Sequence, residues 1–180
     1  MNADLETNAK LRIIVRSLLE MEENAVRPAN QNAPIYKGEE YATVQIISEV
    51  AQGTDETRWE DVGEDRRLAI EHLSGVRLVT ANIQYYNGDA FHQLRLLGDR
   101  LQSAMGTQLL EDAGFGFSVV AALTDLTGLL PDVEWQTRAL MRFEFHAEHN
   151  DAVYTPLIVK VPVTTHLHNG LTIESEVPTQ

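Results

Sequence analysis

Hydrophobic positions near the N-terminus recur at three- and four-residue spacing. Leu11, Ile14, Val15, Leu18, Leu19 and Met21 form one apolar stripe, which predicts a helix from Leu5 to Glu23 with Asp4 as its N-cap. The polar stretch from Asn24 to Gly38 contains Pro28 and Pro34, so residues 24–40 read as a loop or extended arm. Tyr41 to Val50 alternates, with Ala42, Val44, Ile46 and Val50 on one side, and predicts a strand. The charged, glycine-punctuated stretch AQGTDETRWEDVGEDR then reads as a loop.

Leu68 to Tyr86 is a second extended run whose parity changes in the middle. Leu68 and Ile70 are even, whereas Val79, Ala81, Ile83 and Tyr85 are odd, with Ser74-Gly75 between the phases. A bulge or bend there would shift the face by one residue, giving one long bent strand or two short ones. Asn87-Gly88-Asp89 ends the run and caps a helix from Ala90 to Met105, with Phe91, Leu94, Leu97, Leu101 and Ala104 on one face. Gly106 is the expected stop, and a short helical turn through Leu109 and Leu110 follows before Gly114.

Phe115 to Leu123 predicts a third strand, weakened at its start by Gly116. The turn-rich TDLTGLLPD leads to the most regular pattern in the chain. Val133, Trp135, Thr137, Ala139, Met141, Phe143, Phe145 and Ala147 are apolar or small, while most residues between them are polar. That is a strand with one buried and one solvated face. From Val133 to Ala147 it would extend about 50 Å, longer than most strands and long enough to overrun its own domain. Leu157, Val159, Val161 and Val163 share one parity between Tyr154 and Val163, with Pro156 and Pro162 confining that segment to an edge or arm. His168-Asn169-Gly170 predicts a hairpin turn into Leu171 to Val177. These patterns predict an α+β fold: a mostly antiparallel sheet of four or more strands flanked by two main helices. The whole chain, 1–180, reads as one domain with a strand or hairpin extension over 150–180.

Charge narrows the functional classes. Lys and Arg total 14 against 27 Asp and Glu, a formal net charge of −13. Such a surface repels phosphate backbones, which argues against nucleic-acid binding through cation–phosphate pairs. There are no cysteines, so disulfides, thiolate metal sites and cysteine nucleophiles are excluded. No apolar run is long enough for a membrane helix, and the polar, acidic N-terminus lacks the pattern of a signal peptide. The expectation is a soluble protein that remains, or joins an assembly, where it is made.

Candidate chemistry is sparse. His146 and His149 in HAEH, with His166 and His168 in HLH, invite a metal reading, but HAEH is not HExxH. Histidines three apart on a strand also face opposite sides. Glu60-Asp61 and Glu64-Asp65 sit in a charge run without a matching His or Lys motif, which reads as a solvated surface. Gly114-Phe115-Gly116 precedes a strand and does not open a helix, so it cannot cradle phosphate. Trp59, Trp135, Tyr85 and Tyr86 are candidates for a ligand pocket, against the ordinary reading of strand aromatics as core or interface. No catalytic, cofactor-binding or metal-binding residue is assigned.

The segment SVVAALTDLTGLLPDVEWQTRALMRFEFHAEH, Ser118 to His149, resembles phage neck or tail terminator proteins. The matching features are the strand ending at Leu123-Thr124-Asp125, the Leu130-Pro131-Asp132 turn, Trp135 with Arg138, and the alternating strand through Phe143 and Phe145. The upstream order of elements agrees, so the resemblance runs from Tyr41 to His149 and leaves out the tail from Tyr154 to Gln180. It implies a non-enzymatic virion subunit at the neck/tail junction, assembled in the host bacterial cytoplasm. Such subunits form a ring, typically a hexamer, that caps the tail tube, contacts the tube protein and the neck or head connector, and in some tails the sheath. Genomic DNA passes through the lumen without specific binding, and no cofactor or membrane is implied. Long antiparallel strands are compatible with this, since free backbone edges can pair between neighbours and heterologous contacts can close into rings. The alternatives are a head–tail connector or tail-completion subunit, and a small metal- or ligand-binding protein using His146, His149, His166 and His168.

Overall fold

The computed structural model describes residues 3–29, 39–61, 68–129, 135–156, 160–166 and 172–178. The chain is α+β, as the pattern predicts, and forms two compact units. The first comprises Met1–Gln52 and Val76–Glu148; the second comprises Gly53–Gly75 and His149–Gln180.

The first unit begins with α1, Ala3–Leu19, which buries Leu11, Ile14, Val15 and Leu18 as the stripe requires. The helix starts ahead of Asp4, so Asp4 lies within it and is not its N-cap. It also ends before Glu23. Glu20 takes a left-handed φ of 55°, its N–H donates to Ser17 O, and Met21 N–H donates to Arg16 O at 3.1 Å. This pair of bonds is a Schellman closure, which satisfies carbonyls at the helix end. A 3-10 turn, Glu23–Ala25, then leads into β1, Val26–Pro28, which runs parallel to β2, Tyr41–Ala51. Part of the expected arm is therefore a strand; residues 30–38 of it lie outside the described residues.

β2 pairs antiparallel with residues 77–86 of β4, Leu68–Tyr86. The register shifts between Ile46 and Ser48, which turns the expected β2 face over. Ala42 and Val44 are buried, but Val50 is exposed along with Ile47. The bulge thus sits on β2, and β4 is one continuous strand. What changes at Ser74-Gly75 is the partner: β3, Glu56–Asp61, pairs residues 69–74 of β4, and β2 pairs the rest. The even face expected here is corrected at Ile70, which is only half-buried while Ala69 is buried; the side chain of Leu68 lies outside the described residues.

Asn87 and Gly88 both adopt positive φ, and the Asp89 carboxylate accepts from His92 N–H to cap α2, Ala90–Leu101. Leu94, Leu97 and Leu101 are buried, while Phe91 and Ala104 are exposed. Gly106 does not stop this helix. The chain turns at Ser103, whose hydroxyl accepts from Gly106 N–H, and enters α3, Ala104–Asp112. A Cβ on Gly106 would stand 2.2 Å from Arg100 O, so glycine lets α3 press against the end of α2.

β5, Phe115–Asp125, pairs antiparallel with β8, Arg138–Pro156. Between them, β6, Gly128–Leu129, pairs with β7, Trp135–Gln136. The Leu130-Pro131-Asp132 turn and Val133 lie outside the described residues. The main sheet has the order β1-β2-β4-β8-β5, with β3 on β4. Its core face carries Ala139, Met141, Phe143, Phe145 and Ala147 from β8, with Val79, Ala81, Ile83 and Tyr85 from β4, beneath the helices. The expected run of buried odd residues starts at Ala139. Trp135 is 74% exposed and Thr137 is also exposed, because the chain breaks between β7 and β8 and Thr137 instead bonds the turn at Asn87-Gly88.

β8 is 19 residues long, about 60 Å of extended chain. It leaves the first unit after Glu148 and continues in the second. There, β3 is the segment expected to be a charged loop. Glu56 to Glu60 are all exposed, so no buried periodicity marks it. β9, Lys160–His166, and β10, Thr172–Pro178, form a separate two-stranded antiparallel sheet. Leu157, Val159 and the His168-Asn169-Gly170 turn lie outside the described residues.

Candidate functional site

The four histidines occupy different settings. His146 and His149 lie on β8, half-buried, in the first and second unit respectively, with their alternation directing them to opposite faces. His166 is the last residue of β9, and His168 is outside the described residues. Among the described residues no group of three or more His, Asp or Glu side chains could hold a metal ion. Glu60 instead pairs with His72, Oε2 to Nε2 at 2.9 Å, on the exposed part of β3 and β4; Glu64-Asp65 lies outside the described residues.

The four aromatics proposed for a pocket are likewise separate in role. Trp59 belongs to the second unit and is exposed, Trp135 is exposed on β7, and Tyr85 is buried on the core face of β4. Tyr86 faces the opposite side, where it stacks on Tyr41 at 4.4 Å. The Arg138 guanidinium lies over the Tyr86 ring at 5.1 Å, and Gln84 Oε1 accepts from both Arg138 and Tyr86. These contacts make a braced aromatic patch on the face of the sheet turned away from the helices. Tyr85 donates to Glu40 Oε2 at 2.6 Å. Burial, then this bond and the carboxylate's charge, push the phenol well above its ordinary value.

A broad concavity of about 1090 Å³ lies beside the end of α1 and β1. Glu20, Glu22, Glu23, Glu39 and Glu40 line it with Arg12 and Arg27, so its electrostatics disfavour an anion.

Sheet edges are the more informative surface, and hydrophobic periodicity alone does not reveal them. β5 ends the sheet order, and among the described residues it pairs with β8 alone. Val119 is 41% exposed, and Ala121, Ala122 and Thr124 are exposed beside it. The register shifts twice along this strand. An open groove of about 470 Å³ runs between α2, α3 and β5, lined by Leu101, Leu110, Phe115 and Val119 and by the polar Gln102, Thr107 and Glu111. An edge with no second strand partner among the described residues suits strand addition, a mode of protein–protein assembly. No reacting constellation of nucleophile and base stands at any of these places among the described residues.

No curated protein matches the chain significantly. Residues 9–170 match the phage neck terminator protein family, a range that takes in both helical and strand elements of the first unit and most of the second. The chain therefore belongs to the phage neck terminator family and is a structural component of the virion neck.

Proposed function

We propose that this chain is a ring-forming tail terminator, which caps the tail tube and joins it to the neck or head connector. The observation that carries this reading is the family match over residues 9–170. The β5 edge, without a second strand partner among the described residues, supports it, because a subunit that must close on copies of itself needs complementary surfaces at two different places. The mechanism is geometric: one face meets the last ring of tube protein, and the other lacks the tube's continuation surface. A hexamer is the expected closure. The net charge of −13 suits a wall past which DNA slides, since uncompensated phosphates find few cations to hold them.

The test is polymerisation of purified tube protein, followed by light scattering, with and without this chain. Growth should stop early and in proportion to the amount of chain added. Tubes that grow to the same length with the chain bound to connector protein instead would assign it to head–tail joining.

A further inference from the structure

The chain has 27 acidic residues against 14 basic ones, yet a stretch of one sheet face in its first unit carries no carboxylate. Strand alternation turns the residues between Ala81, Ile83 and Tyr85 of β4, and between Ala139, Met141 and Phe143 of β8, away from the core. On that side the β2–β4 rows Tyr41–Tyr86, Thr43–Gln84 and Gln45–Asn82 are uncharged. β8 adds Arg138, Leu140 and Arg142, and the small Ala122 of β5 stands opposite Arg142. The first acid on this face is Glu144, at the next outward position of β8.

Arg142 is exposed and makes no ion pair among the described residues. Arg138 is held over the Tyr86 ring and bonded by Gln84, so its position is set before any partner arrives. Tyrosine and arginine in the absence of acids is the composition of protein–protein interface cores. Two guanidiniums are too few to hold a phosphate backbone. Covering Arg142 with protein instead requires a carboxylate from the other side, because an unpaired buried charge is costly.

The helix layer on the opposite side of the same unit carries such carboxylates. Asp99 near the end of α2 and Glu111 near the end of α3 are exposed, and neither makes an ion pair among the described residues. Arg95, one turn before Asp99, contacts His92 at 3.4 Å. Gln102, at the end of α2, lines the same groove as Glu111, so these acids gather at one end of the helix layer. Asp112 adds a third carboxylate there, bonded by Gln108 at 2.8 Å. One unit thus presents cations on its sheet side and carboxylates without cations on its helix side, with its own core between them.

We propose that the acid-free sheet face of one copy of this chain, centred on Arg142, docks on the Asp99–Glu111 end of the helix layer of the next copy. The two patches lie on opposite sides of one unit and cannot meet within it. The contact is therefore heterologous, and repeating it closes a ring where the rotation allows. This deepens the terminator reading and rests on it, by naming the contact between subunits.

A charge swap tests the contact. Arg142→Glu and Glu111→Arg chains are compared with the unmodified chain by native mass spectrometry and light scattering, in solution and on tube ends. Each variant alone should associate roughly tenfold or more weakly, with an unchanged melting temperature. A mixture of the two should regain multimers with alternating chains, and so should the R142E/E111R double variant. Asp99→Arg combined with Arg142→Glu repeats the swap should Glu111→Arg melt early. Single variants that associate like the unmodified chain, or swaps that restore nothing, overturn the proposal while leaving the ring intact. Loss of binding to a duplex DNA probe in Arg142→Glu, with multimers retained, overturns it by assigning the face to DNA. An unmodified chain that stays monomeric at all concentrations and on tube ends removes both the contact and the ring.

Discussion

Arg100 of α2 and Glu20, the residue that ends α1, stand 3.3 Å apart, and the same guanidinium donates to the Leu18 carbonyl. One side chain thus satisfies a terminal carbonyl of α1 and brings a cation to the negative end of its dipole. Glu20 is 78% exposed, so its ion pair contributes little, and the bond to Leu18 matters more. Arg100→Ala should lower stability by about 1–2 kcal/mol, whereas Glu20→Gln should change it by less than about 0.5 kcal/mol. Urea titrations of both variants check this, and equal losses would contradict it.

The φ of 55° at Glu20 gives a second expectation. Glycine has no Cβ to strain in this conformation, so Glu20→Gly should be neutral or stabilising by up to about 1 kcal/mol, despite the greater entropy of its unfolded chain. A loss greater than that in thermal melts would mean that the ion pair outweighs the backbone relief.

Gly106 should behave in the opposite way. Its added Cβ would meet Arg100 O at 2.2 Å and Leu101 Cα at 2.7 Å, both backbone atoms that cannot rotate aside. Gly106→Ala should therefore cost about 1–3 kcal/mol, the range for overpacking. Gly53 has open space around it but a φ of 91°, so its own alanine variant reports backbone strain without a clash. Chemical denaturation should rank Gly106→Ala as the more damaging.

Tyr85 makes stability depend on pH at the alkaline end. Its folded-state value lies above the ordinary phenol value, so the folded state holds its proton more tightly than the unfolded chain does. The stabilisation is fully present below about pH 10 and is lost as pH rises beyond it toward the folded value. Melting temperature should fall above that pH in the unmodified chain and fall less steeply in Tyr85→Phe. Parallel slopes would show that other groups dominate the alkaline limb.

The core strand and the exposed tryptophan separate packing from surface. Phe143 is fully buried and stacks with Phe145 at 5.4 Å. Phe143→Ala should cost about 3–5 kcal/mol, while Trp135→Ala should lie within about 0.5 kcal/mol of the unmodified chain. Trp135 is then free to matter in assembly, which co-sedimentation of the alanine variant with tube protein would detect.

Much of the fold was legible where burial is one-sided. Ala139 to Ala147 alternates because helices cover one face of β8, and Asn87-Gly88-Asp89 announced both a turn and a cap. β3 is not legible in the sequence, because a strand exposed on both faces leaves no hydrophobic period. The ends of α1 and α2, at Leu19 and Leu101, are hidden from the pattern for another reason. Glu20 is not a residue that local propensity would place in a left-handed turn, and Gly106 looks like a helix stop until α3 is seen packed against Arg100 and Leu101. Trp135 fitted the parity of β8, yet the break at Thr137 separates it from that strand. Of the candidate site, the poverty of catalytic motifs and the terminator resemblance could be read from residues. The β5 edge could not, because without a proline to mark it, whether a strand is flanked on one side or two is decided by topology.

The central claim is that this chain closes the tail tube as a ring, and averaged electron micrographs of tube ends test it most directly. Tubes assembled with the chain should show one added ring of density at a single end, with six-fold symmetry and no chain along the shaft. Bare ends, or chain decorating the length of the tube, would contradict it.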